Sequence, residues 1–403
     1  MSALAAQDWL TAPSTRSVIA ALEAAGGPGC ARFVGGCVRN ALMGRPIDDI
    51  DIATTLKPEE TEAAIRAAGL KAVPTGIAHG TVTAVAQRRP FEITTLRRDV
   101  TTDGRNATVA FTDDWAEDAA RRDFRLNALY ADHEGRVFDP TGEGVADAAA
   151  GRIVFVGDPR TRIREDYLRI LRFFRFFAWY GRGEPDAAGL EACRDLASGM
   201  TRLSAERVSK ELMKLLAAAD PRPAMAAMIG TGVLAQVLPE AGDLALFDAV
   251  VDLSDDPVVR LMTLFPVDAE AIRTAAERLR LPNSTRDRLV ASAVAAPDVS
   301  LAMTDAQVRA AVYRYRGQAV SDAVLRRAAE APGSDAARLL SIARTWVPPR
   351  LPVGGKEVAR LGVAPGPETG RLLKAFEADW IADDFPTGGH AERLAALVSA
   401  RRA

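Results

Sequence analysis

The chain has 403 residues, 48% of them apolar and 26% charged, which is the composition of an ordinary globular protein long enough for two to four domains. Its 51 basic and 53 acidic side chains leave a formal charge of −2, which excludes wholesale disorder, collagen-like repeats and a supercharged tail. No apolar run approaches the roughly 18 residues of a membrane span, the N-terminal MSALAAQDWLTAPS lacks a leader pattern, and Cys30, Cys37 and Cys193 fit neither a disulfide framework nor a zinc site. A cytoplasmic protein with no membrane association is expected.

In chain order, residues 1–150 alternate short runs rich in Val, Ile, Thr and Phe with turns and helical patterns. The runs at 31–34, 50–53, 81–86 and 91–96 read as strands. From about 160 onward the pattern becomes long, Ala-, Leu- and Arg-rich, and spaced at three and four residues. Val208, Leu212, Leu215 and Leu216 form one such stripe, with Ser204 placed as an N-cap. Turn signals at Asp220-Pro-Arg-Pro, Pro282-Asn-Ser and Val347-Pro-Pro punctuate this helical part. The fold class is therefore α+β: a head with a small mixed or antiparallel sheet, followed by an all-helical remainder.

The basic residues are 45 Arg and only 6 Lys. The ratio itself reflects codon bias, and position must decide where Arg matters. Six of them fall between Arg160 and Arg175, beside the acids Asp158, Glu165 and Asp166. The interleaved Phe173, Phe174, Phe176 and Phe177 read as core.

The most informative segment runs from Phe33-Val-Gly-Gly-Cys-Val-Arg-Asn to Gly44-Arg-Pro-Ile-Asp-Asp-Ile-Asp. Asp49 and Asp51 flank Ile50, and on a strand residues i and i+2 share a face, whereas Asp48 points the other way. Two carboxylates so close repel unless a cation lies between them, and hard oxygen ligands suit Mg²⁺. Upstream, Gly35-Gly36 lets backbone N–H groups approach phosphate, and Arg39 adds charge-assisted bonds. Downstream, Glu92 in the run 91–96 brings a third carboxylate. Mg²⁺ held by such acids is the usual apparatus of in-line phosphoryl or nucleotidyl transfer.

The stretches GGCVRNALMGRPIDDIDIAT, FEITTLR, RRDFRLNALY and REDYLRILRFFRF, in this order, resemble the class II tRNA nucleotidyltransferase and bacterial poly(A) polymerase family of the DNA-polymerase-β-like nucleotidyltransferases. The motifs span about residues 34–177. The C-terminal half matches more weakly, through Gly232-Val-Leu and the glycines from Gly354 to Gly370. The resemblance implies a catalytic head at 1–150, a helical neck at 151–235, a helical body at 236–345 and a tail at 346–403 that touches tRNA. It also implies that Asp49 and Asp51 bind Mg²⁺ and that Glu92 completes the triad and helps activate the primer 3′-hydroxyl. Gly36, Arg39 and Arg122 would contact the nucleoside triphosphate, and Asp123 would orient it or its ribose. Asp166 and Arg169 would form a protein template reading the base, with Arg172 and Arg175 facing the same cleft.

Three residues apart on a predicted helix, Asp166 and Arg169 would be neighbours on one face. Asp accepts from an exocyclic amine and Arg donates to a carbonyl or ring nitrogen, so C and A edges suit the pair. A U or G edge leaves a polar group unpaired at about 1–3 kcal/mol. CTP and ATP would be accepted and UTP and GTP rejected. The family usually has an acid where this chain has Asn40, which concerns fine positioning. Residues 98–111 correspond to a flexible segment implicated in the switch from C to A addition, with a turn at Asp103-Gly104-Arg105.

The reading is CCA addition to tRNA with Mg²⁺, and no protein partner is implied. A poly(A) polymerase, or a CC-only or A-only enzyme, stays open. The short mixed tail and near-neutral charge favour a selective grip on a defined RNA shape over generic RNA binding. A catalytically dead RNA-binding relative is opposed by the intact Asp49, Asp51 and Glu92. None of His79, His133 and His390 is followed by Asp, so no His-Asp phosphohydrolase motif is present, and His79 reads as structural.

Overall fold

The structure, a computed structural model, describes residues 3–4, 7–76, 80–103, 106–242 and 244–400. The chain forms two compact units, residues 1–239 and 240–403. Among the described residues no helix is long and apolar enough to cross a membrane.

The first unit holds every strand found among the described residues: β1 (Ala31–Val34), β2 (Asp51–Thr54), β3 (Lys71–Gly76), β4 (Thr81–Ala86), β5 (Arg89–Thr95), β6 (Arg97–Asp103), β7 (Asn106–Phe111), β8 (Tyr130–Ala131) and β9 (Val137–Phe138). Seven of them form a mixed sheet in the order β3-β4-β5-β2-β1-β8-β9, and β6 and β7 form a separate antiparallel pair. Within the large sheet only β2 and β5 run parallel, with Asp51 opposite Glu92 and Ile52 opposite Ile93. Alternation in β4 (TVTAVA) buries Val82, Ala84 and Ala86, while Thr81, Thr83 and Val85 are only partly buried. Helices Pro13–Gly26 and Pro58–Ala67 pack on each other and on β1, β3, β4 and β5.

Two of the four strands expected from sequence span the residues expected, and the other two differ by one or two residues at their ends. The segment 98–111, expected as a loop, is largely a hairpin, because its Thr, Val and Ala residues pair from Arg97 opposite Phe111 to Asp103 opposite Asn106. The tip of the expected turn, Gly104-Arg105, lies outside the described residues, as does His79.

Beyond β9 the first unit is helical. Helix Ala205–Leu216 buries Val208, Leu212, Leu215 and Leu216 as the stripe required, although the Ser204 hydroxyl at its N-cap position makes no capping bond. The four neck phenylalanines are buried: Phe173 stacks on Phe155 at 5.6 Å, and Phe124 packs against both and against Phe176. The second unit, all helical among its described residues, builds one core on Val308, Val312, Val320 and Val324 and another on Phe376, Trp380 and Phe385.

Candidate active site

Strand β2 starts only at Asp51, so Asp49 and Asp48 precede it in irregular backbone. Ile50 is buried, Asp49 is exposed and Asp51 is half-buried, which sets the two acids apart from the apolar side chain between them. Asp48 is exposed too, since period-two alternation does not hold ahead of the strand. Parallel neighbours in register project to one face about 4.8 Å apart, which brings Glu92 beside Asp51 while Ile52 and Ile93 fill the opposite face. The register thus sets two of the three sequence-predicted acids side by side, with Asp49 near enough to act on Asp51 through its charge. Burial first, then the negative charges of Glu92 and Asp49, push the Asp51 carboxyl up to about 6, against a smaller pull from Arg122.

The Gly35-Gly36 turn joins β1 to helix Gly36–Leu42. Gly35 has φ +69, the left-handed region where a side chain is strained. A β-carbon placed there would lie 3.6 Å from a terminal nitrogen of Arg122, and one on Gly36 would lie 3.8 Å from a terminal nitrogen of Arg39. Both predicted guanidinium groups therefore stand at the glycine turn.

Arg39 is buried and held by neutral acceptors. It donates to Asn40 Oδ1 at 3.1 and 2.9 Å, to Asn127 Oδ1 at 2.5 Å and to the Tyr180 hydroxyl at 2.8 Å. Among the described residues it has no carboxylate within 4 Å, and burial lowers its affinity for its proton. Asn40, where the family usually has an acid, therefore accepts two guanidinium bonds on its one amide oxygen and brings no negative charge of its own.

Arg122 donates to Asp118 Oδ2 at 2.9 and 3.2 Å and to the Tyr130 hydroxyl at 3.2 Å. Burial works against its charge, but the Asp118 carboxylate outweighs burial and keeps Arg122 firmly protonated. Asp118 itself, 1% exposed, would be raised by burial, yet Arg122, Arg121 and the Tyr130 hydroxyl bring it down to about 2.

Asp123 is buried, and both oxygens are committed. Oδ1 accepts from the Phe124 N–H at 2.8 Å and from Asn127 Nδ2 at 2.9 Å, and Oδ2 accepts two bonds from Arg172, the Nε one at 2.9 Å. Burial opposes the charge, and Arg172 more than compensates, holding the carboxyl well below the usual range. Asp123 therefore ties the RRDF segment to the neck helix Leu168–Tyr180. Through Asn127 the tie reaches Arg39.

The expectation of one helix carrying both Asp166 and Arg169 is corrected. Helix Pro159–Glu165 ends at Asp166, which is extended at φ −152 and ψ 107, and a new helix spans Leu168–Tyr180. Asp166 Oδ1 accepts from the Leu168 N–H at 3.1 Å, a local turn that competes with helix continuation. Its Oδ2 accepts from Arg207 at 2.6 Å. Arg169 donates instead to Glu165 at 2.5 Å, to the Arg162 carbonyl at 2.8 Å and to the Arg121 carbonyl at 3.2 Å. Their side chains are not paired, although the Arg169 N–H donates to the Asp166 carbonyl at 3.0 Å. Each carboxylate oxygen still has a second lone pair, and Arg169 keeps N–H groups beyond these three bonds. Arg175 donates to Glu211 at 2.5 Å, with Arg172 4.0 Å from the same carboxylate, so both are counterbalanced rather than open.

Sequence reasoning missed Asp118, Asn127, Glu165, Arg207 and Glu211. A signal existed for some: Asp118 lies four residues before Arg122, and Arg207 and Glu211 are spaced four apart on a single helix. The cysteines are buried and unbridged, as expected, with Cys37 pushed up to about 11 by burial.

A mixed sheet with acids on adjoining strands and guanidinium groups at a glycine turn is the head of a nucleotidyltransferase. Comparison with known proteins agrees. Residues 31–154 match the family described as Poly A polymerase head domain, and residues 185–244 match that described as Probable RNA and SrmB- binding site of polymerase A. The chain is 35% identical over 378 residues to CCA tRNA nucleotidyltransferase 1, mitochondrial, of Homo sapiens, covering 87% of this chain and 82% of that one. It is 42% identical over 201 residues, about half of each chain, to a CCA-adding enzyme of Streptococcus pyogenes serotype M2. The structure superposes on the Bacillus stearothermophilus CCA-adding enzyme in complex with CTP with a TM-score of 0.78, at 26% identity over 97% of this chain and 98% of that one. The chain belongs to the CCA tRNA nucleotidyltransferase family.

Proposed function

We propose that this protein adds C, C and A to the 3′ end of tRNA from CTP and ATP, without a nucleic-acid template, by Mg²⁺-dependent nucleotidyl transfer. The observation that carries the reading is the register of Asp51 with Glu92, beside Asp49 and within electrostatic reach of Arg122 at the glycine turn. Those acids fit the ion. Asp51 is destabilised by burial and by two like charges, so it gains most from a cation placed among them. Among the described residues no three His, Cys, Asp or Glu side chains form a preformed metal cluster. Mg²⁺ ordinarily takes one or two carboxylates and completes its shell with water and phosphate oxygens. Asp49 and Asp51 would hold it; when bound it lowers the pKa of the primer hydroxyl and neutralises charge on the departing pyrophosphate.

The chain's own groups do the rest. Glu92 lies beside Asp51 to receive the proton as the primer 3′-oxygen attacks the α-phosphorus and pyrophosphate leaves. Arg39, buried and with no described carboxylate within 4 Å, and Arg122 attract the triphosphate at the Gly35-Gly36 turn. Asp166 and Arg169, through the acceptor and donor capacity left to them, read the base, and Asp123 and Arg172 fix the neck helix that carries Arg169. We place this activity in the cytoplasm, a reading supported by three buried cysteines that form no disulfide.

The test is incubation with Mg²⁺, a tRNA lacking its 3′ CCA, and each nucleotide separately and together. Ordered addition that stops after three residues is expected. A long A tail from ATP alone on unstructured RNA would overturn the reading in favour of a poly(A) polymerase.

A further inference from the structure

Asp166 stands at the break between two helices, and two of the contacts that hold it act on its carboxylate: the Leu168 N–H and Arg207. A third acts on the backbone beside it. The ring of Tyr167 lies over Gly199, in the short 3₁₀ segment Ala197–Arg202. A β-carbon on Gly199 would sit 1.9 Å from Tyr167 Cε1, 2.2 Å from Cδ1 and 2.5 Å from Cζ, inside the ring's own volume. Gly199 is not among the glycines with positive φ, so its backbone would accept an L side chain and only the ring excludes one. The Arg202 guanidinium lies 5.6 Å from the same ring.

We infer that Gly199 is a positioning residue for base selection: it forms the slot that seats Tyr167 and thereby fixes the direction in which Asp166, and Arg169 just beyond it, meet the base edge. The inference rests on the assignment of Asp166 and Arg169 as the base-reading pair. Ordinary carbon contacts are about 3.5–4.0 Å, so an added methyl group at Gly199 drives the ring back by more than 1 Å. Tyr167 is covalently next to Asp166, and a hydrogen bond to a base edge does not survive a displacement of that size. The loss falls on discrimination between bases, because the guanidinium groups proposed to hold the triphosphate stand elsewhere, at the Gly35-Gly36 turn.

The experiment compares kcat/KM for CTP and UTP, on a tRNA lacking its 3′ CCA, in the full-length protein and its Gly199→Ala, Tyr167→Phe, Tyr167→Ala and Asp166→Asn variants. Thermal midpoints are recorded alongside. Gly199→Ala is expected to raise the UTP/CTP ratio at least about tenfold, the effect of losing one buried hydrogen bond. Tyr167→Phe keeps the ratio, since the ring alone fills the slot. Tyr167→Ala empties the slot without overpacking and raises the ratio as well, so it carries the test if Gly199→Ala does not fold. A merely structural role would lower both nucleotides equally and leave the ratio unmoved. UTP exclusion retained by Gly199→Ala and Tyr167→Ala, but lost in Asp166→Asn, overturns the inference and spares the base-reading assignment. UTP exclusion retained by Asp166→Asn overturns that assignment, and the inference with it.

Discussion

Replacing Arg172 with Met would remove the counter-ion of a buried carboxylate while keeping the apolar stem. Asp123 would then keep only the Phe124 N–H and Asn127 as donors, at 2.8 and 2.9 Å. Breaking a buried pair from one side costs roughly 3–5 kcal/mol. The Arg172 side chain is 31% exposed, so water reaches the vacated space and the lower end, about 3 kcal/mol, applies. For a unit of this size that corresponds to roughly 6–12 °C in thermal midpoint. The pH dependence separates charge from packing. In the native protein the Asp123 carboxyl lies below its unfolded value of about 3.9, so its stabilisation is present above that pH and is lost as pH falls. In the variant, burial without Arg172 raises the folded value above the unfolded one, so the penalty is full near neutrality and fades on acidification as Asp123 takes up a proton. The midpoint difference between the two proteins, followed by circular dichroism from pH 7.5 down to 4.5, is therefore expected to narrow. A difference that stays constant over that range would refute the reasoning and assign the loss to packing.

Asp51→Asn should abolish nucleotide incorporation yet leave the metal-free thermal midpoint unchanged or higher, because it removes a desolvated charge repelled by Glu92 and Asp49; a midpoint lowered by more than about 4 °C would contradict this. Asp118→Asn should cost about 2–4 kcal/mol at neutral pH, since it strips Arg121 and Arg122 of their buried carboxylate. It should also flatten the acid limb: the Asp118 contribution is complete above about pH 4 and disappears as pH falls towards 2, which an acid titration of both proteins checks. Arg169→Ala should relax the choice of base more than it raises KM for the correct triphosphate, and full CTP/ATP selectivity in that variant would show that Arg169 does not read the base.

The acids proposed to hold the metal were legible because each sits in a short, self-contained sequence pattern. Asp49 and Asp51 flank a buried isoleucine, and a Phe-Glu-Ile run marks the strand that brings Glu92. The glycine turn was equally plain, since two adjacent glycines before a short helix leave few alternatives. The charge partners were not legible, because they are joined across long loops: Arg39 to Asn127 over 88 residues and to Tyr180 over 141, Arg172 to Asp123 over 49, and Asp166 to Arg207 over 41. The break at Asp166 was hidden by the strong helical pattern on both sides of it. A single side chain bonding the N–H two residues ahead outweighed that pattern. The hairpin at 97–111 had its own signal in alternating Thr, Val and Ala, which a family likeness to a loop overrode.

The ion pairs of the neck also constrain how the sequence can drift. Asp123 with Arg172, Glu211 with Arg175, and Asp166 with Arg207 each set a charge from one segment against its opposite from another. A neutral replacement on one side strands a partly or wholly desolvated charge, whereas the matched double replacement does not. Single changes at these positions are therefore expected to be worse than their pairs, a reciprocal epistasis measurable in a small swap library. The same interdependence makes the neck inherit its charges in couples, so that a substitution at one member is informative about the other even when the two lie forty residues apart.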